Sequence, residues 1–275
     1  MFFSCDVYKN FSTPFVDGLC LLVDSHSHLA EDELKPFLEW ILPTCRNNNT
    51  IIFANSTDLK SCIVNIELAY GYSDIVKPFV GVHPWEAQSF EGGAFKDFVV
   101  NNLGNIVGIG EIGLDGKYSN KVSLEIQRRA FEFQLEIAEE FGLPVCIHSR
   151  RAQDEVLNIL NNFLVKGVLL HWFSGSEEQM KNGLDRGYFF SFGPTIAYSK
   201  GSQRLLSKCD LDKVLLETDS PVPYGACFEN RTSTPLLIYT VAYKASNIFK
   251  KDLEETLNII SKNSQNYIGR RISWR

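Results

Sequence analysis

The sequence predicts a single-domain α/β protein, a (β/α)8 TIM barrel, and three observations carry that prediction. Eight short apolar runs, at residues 21–26, 51–55, 78–83, 106–111, 144–148, 168–171, 188–192 and 213–218, alternate with longer amphipathic segments. The gaps between them are about 17 to 33 residues, the room a returning helix needs in repeated βα units. Most of the runs are continuously apolar rather than alternating, as strands covered on both faces are. The chain has 275 residues, close to the ~250 of one such barrel.

Taken in order, residues 1–20 are broken by Asp6, Lys9, Asn10, Pro14 and Asp17 and lack the apolar core of a signal peptide. They read as an extension ahead of a barrel that occupies 21–275. A helix is expected over 57–70, opened by Thr57 and closed by Gly71. The clearest helix spans 124–141, with Ser123 as N-cap and Gly142 and Pro144 as stop signals. Asp252 with Glu255 reads as a capping box that opens the last helix. An open doubly wound sheet is the runner-up. It would need a glycine-rich phosphate turn after its first strand, where this chain has His26, Ser27 and His28.

Composition narrows the partners. The chain is 44% hydrophobic and 22% charged, as soluble globular proteins are. Its net charge of −6 excludes a general basic surface, so a polyanion must be attracted locally, by metal ions or a few Lys and Arg side chains. Seven cysteines, an odd number without CxxC spacing, argue against a disulfide framework or a cysteine zinc site. No apolar run approaches the ~18 residues of a membrane span. The expectation is a cytoplasmic protein, with the nucleus as the alternative, that is a monomer or a weak oligomer.

The chemistry lies at strand ends. The five histidines are His26, His28, His83, His148 and His171, and each falls at or just after the carboxyl end of an expected strand, the face where barrel active sites sit. In an extended segment His26 and His28 share a face, with Cα atoms about 6.5–7 Å apart, and can bind one ion. Glu111 closes an apolar run, where a carboxylate is costly unless it meets a cation, and its two oxygens can bridge two metals. His148, His171 and Asp219 close three further runs. Four imidazoles and two carboxylates, without thiolate, give three or four ligands per ion and leave positions for water, as catalytic metal pairs do. Zinc, manganese or magnesium fit such donors. Cys146 and Glu217, one layer deeper than His148 and Asp219, read as packing and as a buried structural carboxylate.

Six ordered segments then resemble one family. They are Asp24 to His28, Gly81 to Pro84, Gly110 to Asp115, Pro144 to Arg150, His171 to Gly175 and Glu217 to Pro221. In order they are similar to the TatD family of metal-dependent deoxyribonucleases, and the likeness runs from about residue 21 to 268. The resemblance implies a TIM-barrel hydrolase with two divalent ions. One would be held by His26, His28, Glu111 and Asp219, the other by Glu111, His148 and His171, with His83 in the substrate site. The chain departs from the family at Trp172, where many relatives carry Cys or a small side chain, and at Asn230 to Pro235, where an Asn-x-Pro element is frequent.

The function expected from this is hydrolysis of phosphodiester bonds in DNA, exonucleolytic on single-stranded or frayed ends. Asp219 would be ligand and proton acceptor, Glu111 the bridge, and His83 a contact for the scissile phosphate. Arg150 and Lys200 are candidates for flanking phosphates, and Trp172 for stacking on an unpaired base. Two alternatives stand beside it: a metal hydrolase of a small amide, lactone or phosphoester, and a non-catalytic binding barrel with a relic site.

Overall fold

The computed structural model describes residues 21–269, so the extension read at 1–20 lies outside the described residues, as do residues 270–275. Eight parallel strands, β1 (Leu22–Ser27), β2 (Thr50–Asn55), β3 (Val76–Val80), β4 (Gly108–Gly113), β5 (Val145–His148), β6 (Val168–Leu170), β7 (Phe189–Phe192) and β8 (Val214–Leu216), form one sheet in chain order. Helices α1 (Leu38–Asn47), α2 (Leu59–Tyr72), α3 (Gly92–Asn102), α4 (Leu124–Phe141), α5 (Gln153–Leu160), α6 (Glu177–Asp185), α7 (Lys200–Lys208), α8 (Ile238–Phe249) and α9 (Leu253–Ile268) lie between and after them. The barrel closes at the carboxyl ends of β8 and β1. There Ser27 bridges Ser220 in parallel, the Asp219 amide donates to the His26 carbonyl at 2.9 Å, and the His28 amide donates to the Ser220 carbonyl at 2.8 Å.

Every expected strand is present, and the corrections lie at the ends. β3 stops at Val80, which leaves His83 in the following loop, and β4 begins at Gly108 rather than at 106. Close backbone approach sets this geometry. A Cβ on Gly81 would come within 2.7 Å of the Gly110 carbonyl carbon, and one on Gly110 within 2.7 Å of the Cys146 Cβ. The helix at 124–141 has the expected bounds, with the Ser123 hydroxyl accepting from the Ile126 amide and Gly142 left-handed at φ 61°. α2 starts later than expected. Asp58, not Thr57, is its cap, because Asp58 and Ser61 exchange side chain and backbone hydrogen bonds reciprocally, and the helix runs through Gly71 to Tyr72. At α9 the box is half made. Asp252 accepts from the Glu255 amide, while the Glu255 carboxylate turns to Lys251.

The barrel interior is filled, not hollow. Val23, Ile51, Phe53, Phe79, Cys146, Leu169, Phe189 and Leu215 point inward and are buried. Tyr267 of α9 plugs the end where the strands begin, its ring centroid 5.9 Å from Phe79, 6.2 Å from Phe53 and 5.7 Å from Phe189. A larger apolar shell packs the helices onto the outer faces of the strands. This packing leaves the opposite, carboxyl end as the open mouth.

The plug yields a paired prediction. Tyr267→Ala removes a fully buried ring and should cost about 3–5 kcal/mol of unfolding free energy. Tyr267→Phe should match the parent or exceed it by up to about 1 kcal/mol, because the hydroxyl has no partner among the described residues. Urea unfolding of both variants measures the difference, and a Phe variant as damaged as the Ala variant contradicts the packing account.

Candidate metal centre

Two groups of donors meet around one carboxylate. On one side Glu111 Oε2 lies 3.2 Å from His26 Nε2 and 3.3 Å from His28 Nε2. Asp219 Oδ1 lies 3.4 Å and 3.2 Å from the same two nitrogens, which are themselves 3.0 Å apart. Ligand atoms of a tetrahedral ion with bonds of ~2.0 Å sit about 3.3 Å from one another. Five of the six edges of such a tetrahedron are therefore here at 3.0–3.4 Å. On the other side Glu111 Oε1 lies 2.7 Å from both His148 Nδ1 and His171 Nε2, and those nitrogens are 3.4 Å apart. The donor set fits divalent cations, and all six residues expected to hold them are brought together.

The chain builds these positions from strand ends and their loops. His26 ends the inward-facing part of β1, and His28 follows two residues later, as its shared face requires. Asp219 adopts a left-handed φ of 46° just beyond β8, a conformation uncommon for a side chain other than Gly and typical of constrained functional turns. Behind it Asp24 braces the seam, accepting from the Thr218 amide at 2.8 Å and from its hydroxyl at 2.6 Å. The role of Asp24 was not apparent from its place in the first motif.

The two groups expected one layer deeper lie behind the expected ligands. The Cys146 sulfur sits 3.1 Å from His26 Nδ1, so the ring can face the centre with Nε2. Glu217 is held by the Ser191 hydroxyl and lies 3.7 Å behind His171 Nδ1. Cys146 packs in the barrel interior as expected and in addition touches His26. Asp115, which drew no role from the sequence, is fully buried. Its Oδ2 accepts from His148 Nε2 at 3.1 Å, Trp85 Nε1 at 2.7 Å, and Arg150 Nε and Nη2 at 3.0 and 2.6 Å. Its position four residues after Glu111, directly beyond β4, was the available signal.

The remaining expected residues divide. His83 joins the centre, its Nε2 3.5 Å from Glu111 Oε1, while its Nδ1 accepts from the Trp85 amide at 3.2 Å. Arg150 stops short of the centre, engaged by Asp115. Trp172 is half-buried at the mouth with its ring centroid 5.4 Å from Tyr224. Lys200 is exposed at the start of α7. Arg204, in the first turns of α7, pairs with Glu177, and Arg231, in the loop after β8, pairs with Glu229.

The electrostatics follow from burial. Burial opposes ionisation of Glu111, yet the imidazoles of His171, His83 and His26 outweigh it and hold the carboxyl well below its usual range. Burial likewise opposes charge on His28, but Asp219 and Glu111 raise it to about 10. Burial opposes charge on His148 and His171 too, but Asp115 and Glu111 raise His148, and Glu111 and Glu217 hold His171 well above its usual value. His83 goes the other way, lowered by burial to about 4, so it is neutral at pH 7.

Protons therefore take the place of cations in the stripped protein. A folded value of about 10 for His28, above the unfolded ~6.5, gives stability that is complete below ~6.5 and lost as pH rises through about 10. Chelated protein should lose denaturant resistance over that window, whereas metal-loaded protein should not. Metal uptake near neutral pH should also release protons, read by titration calorimetry in buffers of different ionisation enthalpy. Uptake without proton release contradicts this assignment.

Comparison with known proteins agrees with the geometry. A family model described as TatD related DNase matches residues 23–269. The human protein named Deoxyribonuclease TATDN3 is 32% identical over 216 residues, covering 73% of this chain and 78% of that one. An uncharacterized metal-dependent hydrolase of Methanocaldococcus jannaschii is 25% identical over 252 residues, covering 91% of this chain and 98% of its own. Among solved structures, the TatD homologue YJJV of Escherichia coli superposes with a TM-score of 0.83 at 24% identity, over 90% of this chain and 98% of that one, which shows the fold. With eight parallel strands, a carboxylate set among imidazoles at their ends, and a family match across nearly the whole chain, the protein belongs to the TatD family of metal-dependent hydrolases, enzymes that act on ester bonds.

Proposed function

We propose that the chain is a deoxyribonuclease that uses two divalent ions, zinc, manganese or magnesium, and removes nucleotides from single-stranded or frayed DNA ends. The observation that carries this reading is the division of Glu111, whose two oxygens face two separate donor groups. Paired ions lower the pKa of bound water and stabilise charge on a phosphoryl group. His26, His28, Glu111 and Asp219 would hold one, and Glu111, His148 and His171 the other. Asp219 then accepts the proton of the attacking water.

His83 acts as a neutral donor. Its Nδ1 accepts the Trp85 amide, which places the ring proton on Nε2, beside Glu111, where a phosphoryl oxygen can receive it. The substrate is recognised locally, as a chain of net charge −6 requires. Trp85 and Tyr198 present exposed rings, 41% and 39% accessible, for unpaired bases. Arg150 and Lys200 serve flanking phosphates, and Trp172, leaning on Tyr224, a base at the opposite lip.

End-labelled single-stranded DNA tests the reading. Mononucleotide release should depend on added metal and stop with chelator. Glu111→Gln should lose more activity than the ~10–100-fold that removal of an outer partner costs, since it abolishes the bridge. His83→Ala should lower kcat while leaving metal uptake intact. Turnover of a lactone or amide by the loaded protein, with no DNA cleavage, would replace this function with the small-molecule one.

A further inference from the structure

Asp115 has more donors than packing needs. Its Oδ1 accepts the Lys117 and Tyr118 amides at 2.9 and 3.1 Å. Its Oδ2 takes Trp85, His148 and both proximal nitrogens of Arg150. Six donors converge on two oxygens, so both must be acceptors, and only an ionised carboxylate provides that. The backbone beneath is fixed as well: the Asp115 amide donates to Gln127 Oε1 at 2.7 Å, and Gln127 Nε2 returns to the Asp115 carbonyl at 3.2 Å.

The three side chains gathered by Oδ2 differ in kind. His148 faces Glu111 with Nδ1 at 2.7 Å. A carboxylate on Nε2 keeps the proton there and leaves Nδ1 free for a cation. Trp85 and Arg150 are turned outward instead. The indole is 41% exposed, the Arg150 side chain 38% exposed, and the guanidinium lies 5.4 Å over the indole ring. Arg150 spends Nε and Nη2 on Asp115, leaving Nη1 for an oxygen of an incoming phosphate. The Trp85 ring is braced by Tyr118 at 5.3 Å and by His83 at 4.5 Å. An indole held by its own N–H, beside a guanidinium with one nitrogen to spare, suits an unpaired base and its phosphate.

We propose that Asp115 is a positioning residue that joins the metal ligand His148 to a preformed nucleotide clamp of Trp85 and Arg150. The nucleotide half rests on the deoxyribonuclease reading above; the metal half stands without it. Because one oxygen serves both, metal at His148 and nucleotide on the clamp are linked, and the coupling is reciprocal.

The test uses the whole protein, zinc titrated by calorimetry without DNA, and KM and kcat on a single-stranded oligonucleotide. Trp85→Phe and Arg150→Gln should keep zinc affinity within about 2-fold and raise KM with little change in kcat. Asp115→Asn leaves one acceptor where two are needed. It should weaken one zinc-binding step by about 10–100-fold and raise KM, and adding Trp85→Phe to it should raise KM no further. Unchanged zinc affinity in Asp115→Asn, or an undiminished Trp85 effect in the double variant, overturns the proposal. If Asp115→Asn does not fold, the fluorescence difference between parent and Trp85→Phe decides: Trp85 emission that shifts with zinc supports the link, and emission indifferent to zinc overturns it. Both zinc effects without DNA cleavage keep the Asp115 link and remove the deoxyribonuclease reading alone.

Discussion

The structure depends on an ionised carboxylate buried at the end of a strand. Glu111 is 2% exposed, and a lone charge so far from water would cost several kcal/mol or lose its ionisation. Neither happens because His26, His28, His83, His148 and His171 all stand within 3.5 Å of its two oxygens. The demand is mutual. Imidazoles crowded this closely, with His26 and His171 stacked at 3.9 Å, need the negative charge as much as it needs them. Whatever occupies the centre, protons or divalent ions, must satisfy the same balance.

The barrel is assembled so that this balance is reached without slack. Its seam, where β8 meets β1, is tied by backbone bonds from Asp219 and His28 themselves, so closure of the fold and alignment of two of the donors are one event. Asp24 pins Thr218 across the seam, and glycines at 81 and 110 let three backbones approach closely enough to bring Glu111 inward. Behind these donors stand Cys146 and Asp115, which contact the far nitrogens of His26 and His148, while Glu217 lies 3.7 Å from His171 Nδ1. Outer partners of this kind fix ring orientation and tautomer. Here Cys146 and Asp115 do so for two rings.

Differences from the sequence reading concentrate where tertiary contacts compete with local signals. Thr57 looks like a helix cap, yet its amide and the Asp58 amide both reach Ser61 Oγ, and Asp58 wins the cap position. Glu255 completes a box on paper but is drawn to Lys251. Arg150 reads as a free phosphate ligand, and in the fold most of its guanidinium is committed to a buried Asp115. In each case a partner supplied by folding outcompetes the expected one, and spacing along the chain does not reveal it.

The sequence by itself determined the barrel, since eight apolar runs with helical intervals leave few other topologies, and it singled out the six residues proposed as ligands. Those residues are legible because a histidine or carboxylate at the end of an apolar strand has little reason to be there except to meet a cation. Only the tertiary structure decided which oxygen of Glu111 faces which rings, that His83 lies against Glu111, and that Asp115 ties His148 to Trp85 and Arg150. The physical reason is directional. Strand position sets which end and face a side chain occupies, whereas hydrogen-bond partners depend on distances between loops far apart in the chain. Asp115 and Trp85, 30 residues apart, meet only when the barrel has closed.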